Sequence, residues 1–183
     1  TKSGKTTLSE AMLYEGKVID RRGTVEGKNT VSDNSEIEQM NQRSIYATPL
    51  YAEFKDTKFN IVDTPGADDF VGGAVSAFKV CDLGILVVNA QQGVEVGTQI
   101  FSRYASAYKV PLIAAVNQLD GEKASWETTI ESMKETFGGK PVIVQYPVTV
   151  GPGFNGFIDV LKMKYYQFTD DNGTRQDLEI PAD

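Results

Sequence analysis

The chain has 183 residues, 40% hydrophobic and 23% charged, with a formal net charge of −7. That length suits one domain with a real core, or one domain and part of a second. The acidic balance argues against a non-specific nucleic-acid coat, no apolar run approaches the roughly 18 residues of a membrane span, and the absence of His excludes general-base chemistry by imidazole within this segment.

From Gly4 to about position 13 the pattern is a loop opening a helix, with Leu8, Ala11 and Met12 at helical spacing. Positions 16–43 are polar, charged and without a clear period, which predicts a mobile loop with a short helix near 36–41. Segments 45–54 and 58–62 read as strands joined by a turn at Lys55, Asp56 and Thr57, a hairpin. A glycine-rich stretch over 63–73 precedes a helix to about position 80. Residues 83–88 form a short continuous apolar run, the pattern of a strand buried on both faces. A helix is predicted over 96–108, a second buried strand over 111–116, a helix over 126–137 and a third buried strand over 142–145. Alternating strands and helices imply a mostly parallel central sheet with helices on both faces. After Pro147 the texture changes: glycines and prolines at 151–156 mark loops, 158–168 is apolar and aromatic, and Asp170-Asp171-Asn172-Gly173 is a hairpin-turn signal. We expect a domain over 1–148 and the start of an inserted α+β subdomain over 149–183, cut off at its far end. No repeat or low-complexity tract interrupts either.

Three motifs carry chemistry. The second half of the phosphate-loop consensus G-x-x-x-x-G-K-[ST] is present in Ser3-Gly4-Lys5-Thr6-Thr7. Gly4 admits close backbone approach to phosphate, Lys5 reaches the β- and γ-phosphates, and the Thr6 hydroxyl is a Mg²⁺ ligand. The consensus's first Gly falls ahead of Thr1, so the sheet's first strand is expected outside this segment. Asp63-Thr64-Pro65-Gly66 follows a strand; there an Asp holds Mg²⁺ through water and the Gly66 N–H meets a γ-phosphate. Asn117-Gln118-Leu119-Asp120 ends another strand, where the Asp120 carboxylate accepts from the N1 and N2 edge of guanine, a pair adenine lacks. The bland reading of each is a capped turn or polar loop. Their order, each at a strand's C-terminal end, favours a P-loop NTPase fold that binds GTP or GDP with Mg²⁺, and makes an ATPase the weaker reading.

With these residues in place the sequence resembles a translational GTPase, and within that family elongation factor G. Leu13-Tyr14, Gly16, Gly23-Thr24-Val25 and Gly27 are similar to the segment after the phosphate loop. Asp63-Thr64-Pro65-Gly66 with Asp69-Phe70 matches DTPGHxDF except at the His, and Gly93-Val94-Glu95 with Thr98 resembles the GVEPQT stretch. Gln145-Tyr146-Pro147-Val148, 156–160 and 180–183 resemble the start of the family's inserted subdomain, and 30–33 looks like a divergent paralogue branch. The family's last base-contacting loop is not found. The resemblance implies a monomeric cytoplasmic factor that docks on the RNA and protein of the large ribosomal subunit and promotes translocation, without DNA or membrane partners. Cys81, the single cysteine, fits a reducing compartment. A tetracycline-resistance-type ribosomal protection factor, which shares this fold, is an alternative reading.

Four positions depart from the family. Ala67 stands where His orients the attacking water, so no catalytic residue is assigned; such groups contribute about 10²–10⁴-fold. The R-G-I-T pattern, whose Thr contacts Mg²⁺, reads Arg43-Ser44-Ile45-Tyr46, and Thr48 serves only after a two-residue shift. Gln118 replaces the Lys whose stem crosses the base plane, which predicts reduced affinity with guanine specificity retained. Lys2 stands where many members carry an Asp. These changes predict very slow or absent hydrolysis. A fully active GTPase using Asp68 or ribosomal RNA, and a nucleotide-independent scaffold, are the competing readings.

Overall fold

A computed structural model describes residues 2–139, 141–170 and 173–181. The chain divides into two compact units, 1–87 with 96–115 and 88–95 with 116–183. The predicted α/β class holds, but the strands form three small sheets rather than one continuous central sheet: β1 with β2, β3 with β4, and β5 to β8.

In the first unit, helix α1 (Lys5–Glu15) opens on Gly4, whose φ of 92° is a left-handed conformation that a Cβ disfavours. It packs on strands β1 (Thr48–Phe54) and β2 (Thr57–Asp63), and its Leu13 is fully buried. The two strands form the predicted hairpin, antiparallel in the register Thr48↔Asp63 to Phe54↔Thr57. Lys55 and Asp56 turn it with positive φ at both residues, as the twist of a two-residue hairpin loop requires. β1 begins at 48 rather than at the predicted 45 because the Ile45 and Tyr46 N–H groups are taken by the Glu38 carboxylate.

The 16–47 arm, expected to be mobile, is tied down by two buried acids. Glu10, from α1, accepts from the Gly23 N–H at 2.8 Å and the Val31 N–H at 2.6 Å. A Cβ on Gly23 would stand 2.4 Å from the Asn29 carbonyl oxygen, so this crossing point admits only glycine. Helix α2 (Glu36–Asn41) forms where the sequence places it, started by a reciprocal capping box between Ser35 and Glu38. Glu38 then closes the arm onto itself through Ile45 and Tyr46, at 2.9 and 3.0 Å. Beyond β2, a 3₁₀ turn (Asp68–Phe70) leads into α3 (Val71–Phe78), which packs on α4 (Val96–Tyr108).

Strands β3 (Gly84–Asn89) and β4 (Leu112–Asn117) pair in parallel: Gly84 donates to Pro111 at one end, Ala90 to Asn117 at the other. The expectation of burial on both faces is corrected here, since Ile85 is 44% exposed and Ile113 51%. An apolar run reports that a face can be covered; among the described residues these two strands pair only with each other, so much of their surface is not.

In the second unit, helix α5 (Trp126–Phe137) is capped by the Ser125 hydroxyl and buries Trp126, Ile130 and Met133 against Val94, Val116, Leu119, Ile143 and Val150. The predicted third strand over 142–145 is also corrected. Val142 is 86% exposed, Ile143 joins the Trp126 cluster, and the strand proper is β5 (Gln145–Pro147). Its apolar residues alternate between solvent and the Trp126 cluster, which is not the burial of a strand covered on both sides. β5 pairs antiparallel with β6 (Gly156–Asp159), β6 with β7 (Lys164–Phe168), and β7 with β8 (Arg175–Leu178). The predicted turn between β7 and β8 includes Asp171 and Asn172, which lie outside the described residues. No helix among the described residues is long and apolar enough to cross a membrane.

Candidate nucleotide-binding site

Lys2 and Gly4 both have positive φ, 58° and 92°, so the chain reaches α1 through left-handed turns that gather backbone N–H groups. The contrast between helix starts is informative. α2 and α5 begin on serine caps with acids in the first turn, whereas α1 has neither a side-chain cap nor a first-turn acid. Its first N–H groups and its positive dipole end are therefore suited to an anion. Ser3 and Thr6 are buried, Lys5 is half-buried, and Thr7 is exposed.

The hydroxyl of Thr6 is the meeting point. It shares a hydrogen bond with the Ser44 hydroxyl at 3.2 Å and reaches the Asp63 carboxylate at the end of β2. Asp63 is 4% exposed and also accepts from the Ser32 hydroxyl at 2.8 Å. Burial pushes its carboxyl above the usual range, against the pull of the Ser32 and Thr6 hydroxyls and the charge of Lys5. Beside it lies Asp33, 4% exposed, neither of whose oxygens has a hydrogen-bond partner. Burial raises this carboxyl too, and the neighbouring Asp63, Glu38 and Glu10 add to the effect while the Ser44 hydroxyl offsets part of it. Ser32, Asp33 and Ser44 were not singled out as site residues from sequence. The available signal was Ser44, a hydroxyl two residues ahead of Tyr46 inside a recognised motif.

The other hydroxyls of the arm are placed differently. Tyr46 is 58% exposed, and its backbone, not its side chain, is engaged by Glu38. Thr48 donates to the Ser32 carbonyl at 3.2 Å. Ala67, after Gly66, precedes the 3₁₀ turn and contributes only a methyl group. Asp68 Oδ1 lies beside Gly97 in the first turn of α4, 3.4 Å from where a Cβ there would stand.

In the second unit, Asn117, Gln118 and Asp120 follow β4, with Gln118 at a left-handed φ of 59° and Asp120 exposed. The Asn89 amide donates to the Gln118 side-chain oxygen, while the Asn89 oxygen accepts from the Gln91 N–H at 2.7 Å. Sequence reasoning missed Asn89, which nothing in the motif itself signals.

Comparison with known proteins bears on the whole chain. Residues 1–176 match the family model described as the elongation factor Tu GTP binding domain. The chain belongs to that family, as a translational GTPase G domain. It is 34% identical to elongation factor G of Mycoplasma genitalium over 179 residues, 98% of this chain and 26% of that protein. It is likewise 34% identical to elongation factor G of Mycoplasma pneumoniae over 177 residues, 97% of this chain and 25% of that protein. A crystal structure of a protein from Thermus thermophilus superposes with a TM-score of 0.91 at 30% identity, covering 99% of this chain and 27% of that one. The chain thus spans about a quarter of the length of these relatives.

This GTPase family implies guanine nucleotide with Mg²⁺, and the residues fit both. An uncapped helix start suits phosphate, and Thr6 and Ser44 offer hydroxyl oxygens next to two buried carboxylates, one without a partner. Mg²⁺ takes hard oxygen ligands and is commonly shared between one or two carboxylates and substrate phosphates.

Proposed function

We propose that the chain is the guanine-nucleotide-binding domain of an elongation-factor-G-like factor, acting in the cytoplasm as a monomer on the large ribosomal subunit in translocation. We further propose that it hydrolyses GTP very slowly or not at all. In this reading Ser3, Gly4, Lys5, Thr6, Thr7 and Gly66 hold the phosphates. Thr6 and Asp63 hold Mg²⁺, whose chemistry when bound is to neutralise phosphate charge. Asn117, Gln118 and Asp120 select guanine, and 149–183 begins an inserted subdomain.

The observation that carries the hydrolysis reading is Ala67. A methyl group neither accepts a proton from water nor orients it, and Asp68, the neighbouring acid, has its carboxylate beside the first turn of α4. The test is single-turnover GTP hydrolysis with ribosomes. Ala67→His is expected to raise the rate by about 10²-fold or more. A fast wild-type rate that His leaves unchanged would establish the fully active enzyme instead. No binding of GTP or GDP in the presence of Mg²⁺ would establish the docking scaffold.

A further inference from the structure

Both ends of the loop at 23–31 return to a single side chain. Glu10 of α1 is 1% exposed; one of its oxygens accepts from the Gly23 N–H at 2.8 Å and the other from the Val31 N–H at 2.6 Å. A glutamine cannot take both, because an amide carries one acceptor oxygen where a carboxylate carries two. Between its ends the loop is closed by its own bonds. The Thr24 N–H donates to the Asn29 side-chain oxygen at 2.8 Å, and the Gly27 N–H donates to the Thr24 hydroxyl at 3.0 Å. The two ends cross with no side chain between them, since a Cβ on Gly23 would meet the Asn29 carbonyl oxygen at 2.4 Å. Glu10 lies one helical turn beyond Thr6 and both are buried, so this anchor and the phosphate-loop hydroxyl share a face of α1. After Val31 comes Ser32, 2% exposed, whose hydroxyl donates to Asp63 and whose carbonyl accepts from Thr48. Glu38 makes a separate closure, bonding within 35–46.

We propose, on the nucleotide-binding reading above, that Glu10 is a positioning residue that fixes the inner arm, 23–32, to the phosphate-binding helix in every nucleotide state. Each bond that fixes 23–31 runs between two groups of the protein, so none is made or lost when one nucleotide replaces another. Ser32 is thereby kept against Asp63 with GDP as with GTP. Rearrangement of the arm on nucleotide exchange is confined to the outer part that Glu38 closes.

The test is hydrogen–deuterium exchange of the whole protein, read by mass spectrometry on peptides spanning 21–33. It is run without nucleotide, with GDP and Mg²⁺, and with a non-hydrolysable GTP analogue and Mg²⁺. In the wild type, 21–33 exchanges at the same slow rate in all three states. Glu10→Gln gives up one of the two acceptors and speeds that exchange about ten- to a hundredfold without nucleotide and with GDP. The GTP analogue restores slow exchange, because a ligand held at Thr6 and Asp63 favours the form in which Ser32 is docked. The variant thus acquires a nucleotide dependence that the wild type lacks, which loss of a merely structural contact does not produce. Slow exchange over the β1–β2 hairpin reports that a variant is folded. Gly23→Ala, which leaves α1 untouched and forces the crossing at Asn29 apart, reproduces the pattern and carries the test if Glu10→Gln is unfolded. Three results overturn the proposal: wild-type exchange over 21–33 that is slow only with the GTP analogue, slow exchange in folded variants without nucleotide, or a rise that is equal in all three states. If the wild type binds neither nucleotide, the nucleotide-binding reading fails, while the nucleotide-free rates of wild type and variants still accept or reject Glu10 as the anchor.

Discussion

The arm at 30–48 and the loop at 117–120 hold their buried polar side chains in opposite ways. In the loop, Gln118 stands for Lys, and its side-chain oxygen accepts from Asn89, so the shorter side chain is held by the protein itself. In the arm, Tyr46 is exposed, the Ser44 hydroxyl shares a hydrogen bond with Thr6, and neither Asp33 oxygen has a hydrogen bond. A bonded amide pair persists with or without a ligand. A buried acid lacking a partner is instead stabilised by whatever positive charge reaches it. The two regions therefore differ in kind: one polar side chain is bonded within the protein, and the other is a carboxylate buried without a hydrogen bond.

The comparison is broken most severely at Glu38, which is 1% exposed and accepts from Ile45, Tyr46 and Ser35. Replacing it with Ala leaves several N–H groups unsatisfied at once and is expected to cost about 3 kcal/mol of stability, read from urea unfolding. Faster proteolytic cleavage between positions 42 and 47 should accompany the loss. An unchanged stability with an intact arm would show that the carboxylate is not what ties it down. A smaller effect sharpens the other side. Gln118→Lys restores a cationic stem and should tighten guanine nucleotide binding by about tenfold in equilibrium titration. A fall in affinity would mean that the Asn89–Gln118 pair is itself part of the binding surface. The smallest change is at Thr48, where Val removes one bond to the Ser32 carbonyl. A loss of about 0.5–1 kcal/mol is expected in the same unfolding assay.

Helices were the most legible part of the sequence. α4, α5 and the short α2 sit where spacing and capping residues place them, because their signals are local: Ser125 and Ser35 cap from one residue away. Strand burial was less legible, since 83–88 and 142–145 carry apolar residues whose covering depends on other elements. The order of the arm was hidden for a similar reason. Polar composition suggests a loop, but Glu10 holds Gly23 and Val31 from 13 and 21 residues away, which no local window registers. At the site, Lys5, Thr6 and Asp63 were legible from motifs. Ser32, Asp33, Ser44 and Asn89 were not, because each acts through a neighbour brought near by folding.

The β1–β2 hairpin joins two places that the motifs treat separately. Thr48, at the end of the arm, is paired directly opposite Asp63, and the pairing continues unbroken to Phe54 and Thr57. A one-residue slip would turn every side chain on one strand to the other face, so the register resists sliding and the two strands travel together. A displacement of the arm at 44–48 is thus handed to Asp63 without needing any new contact. It is also handed to the turn at Lys55 and Asp56, about 20 Å along the strands at the usual rise per residue. The hairpin is in this sense a pointer, with its pivot at the carboxylate and its tip in solvent.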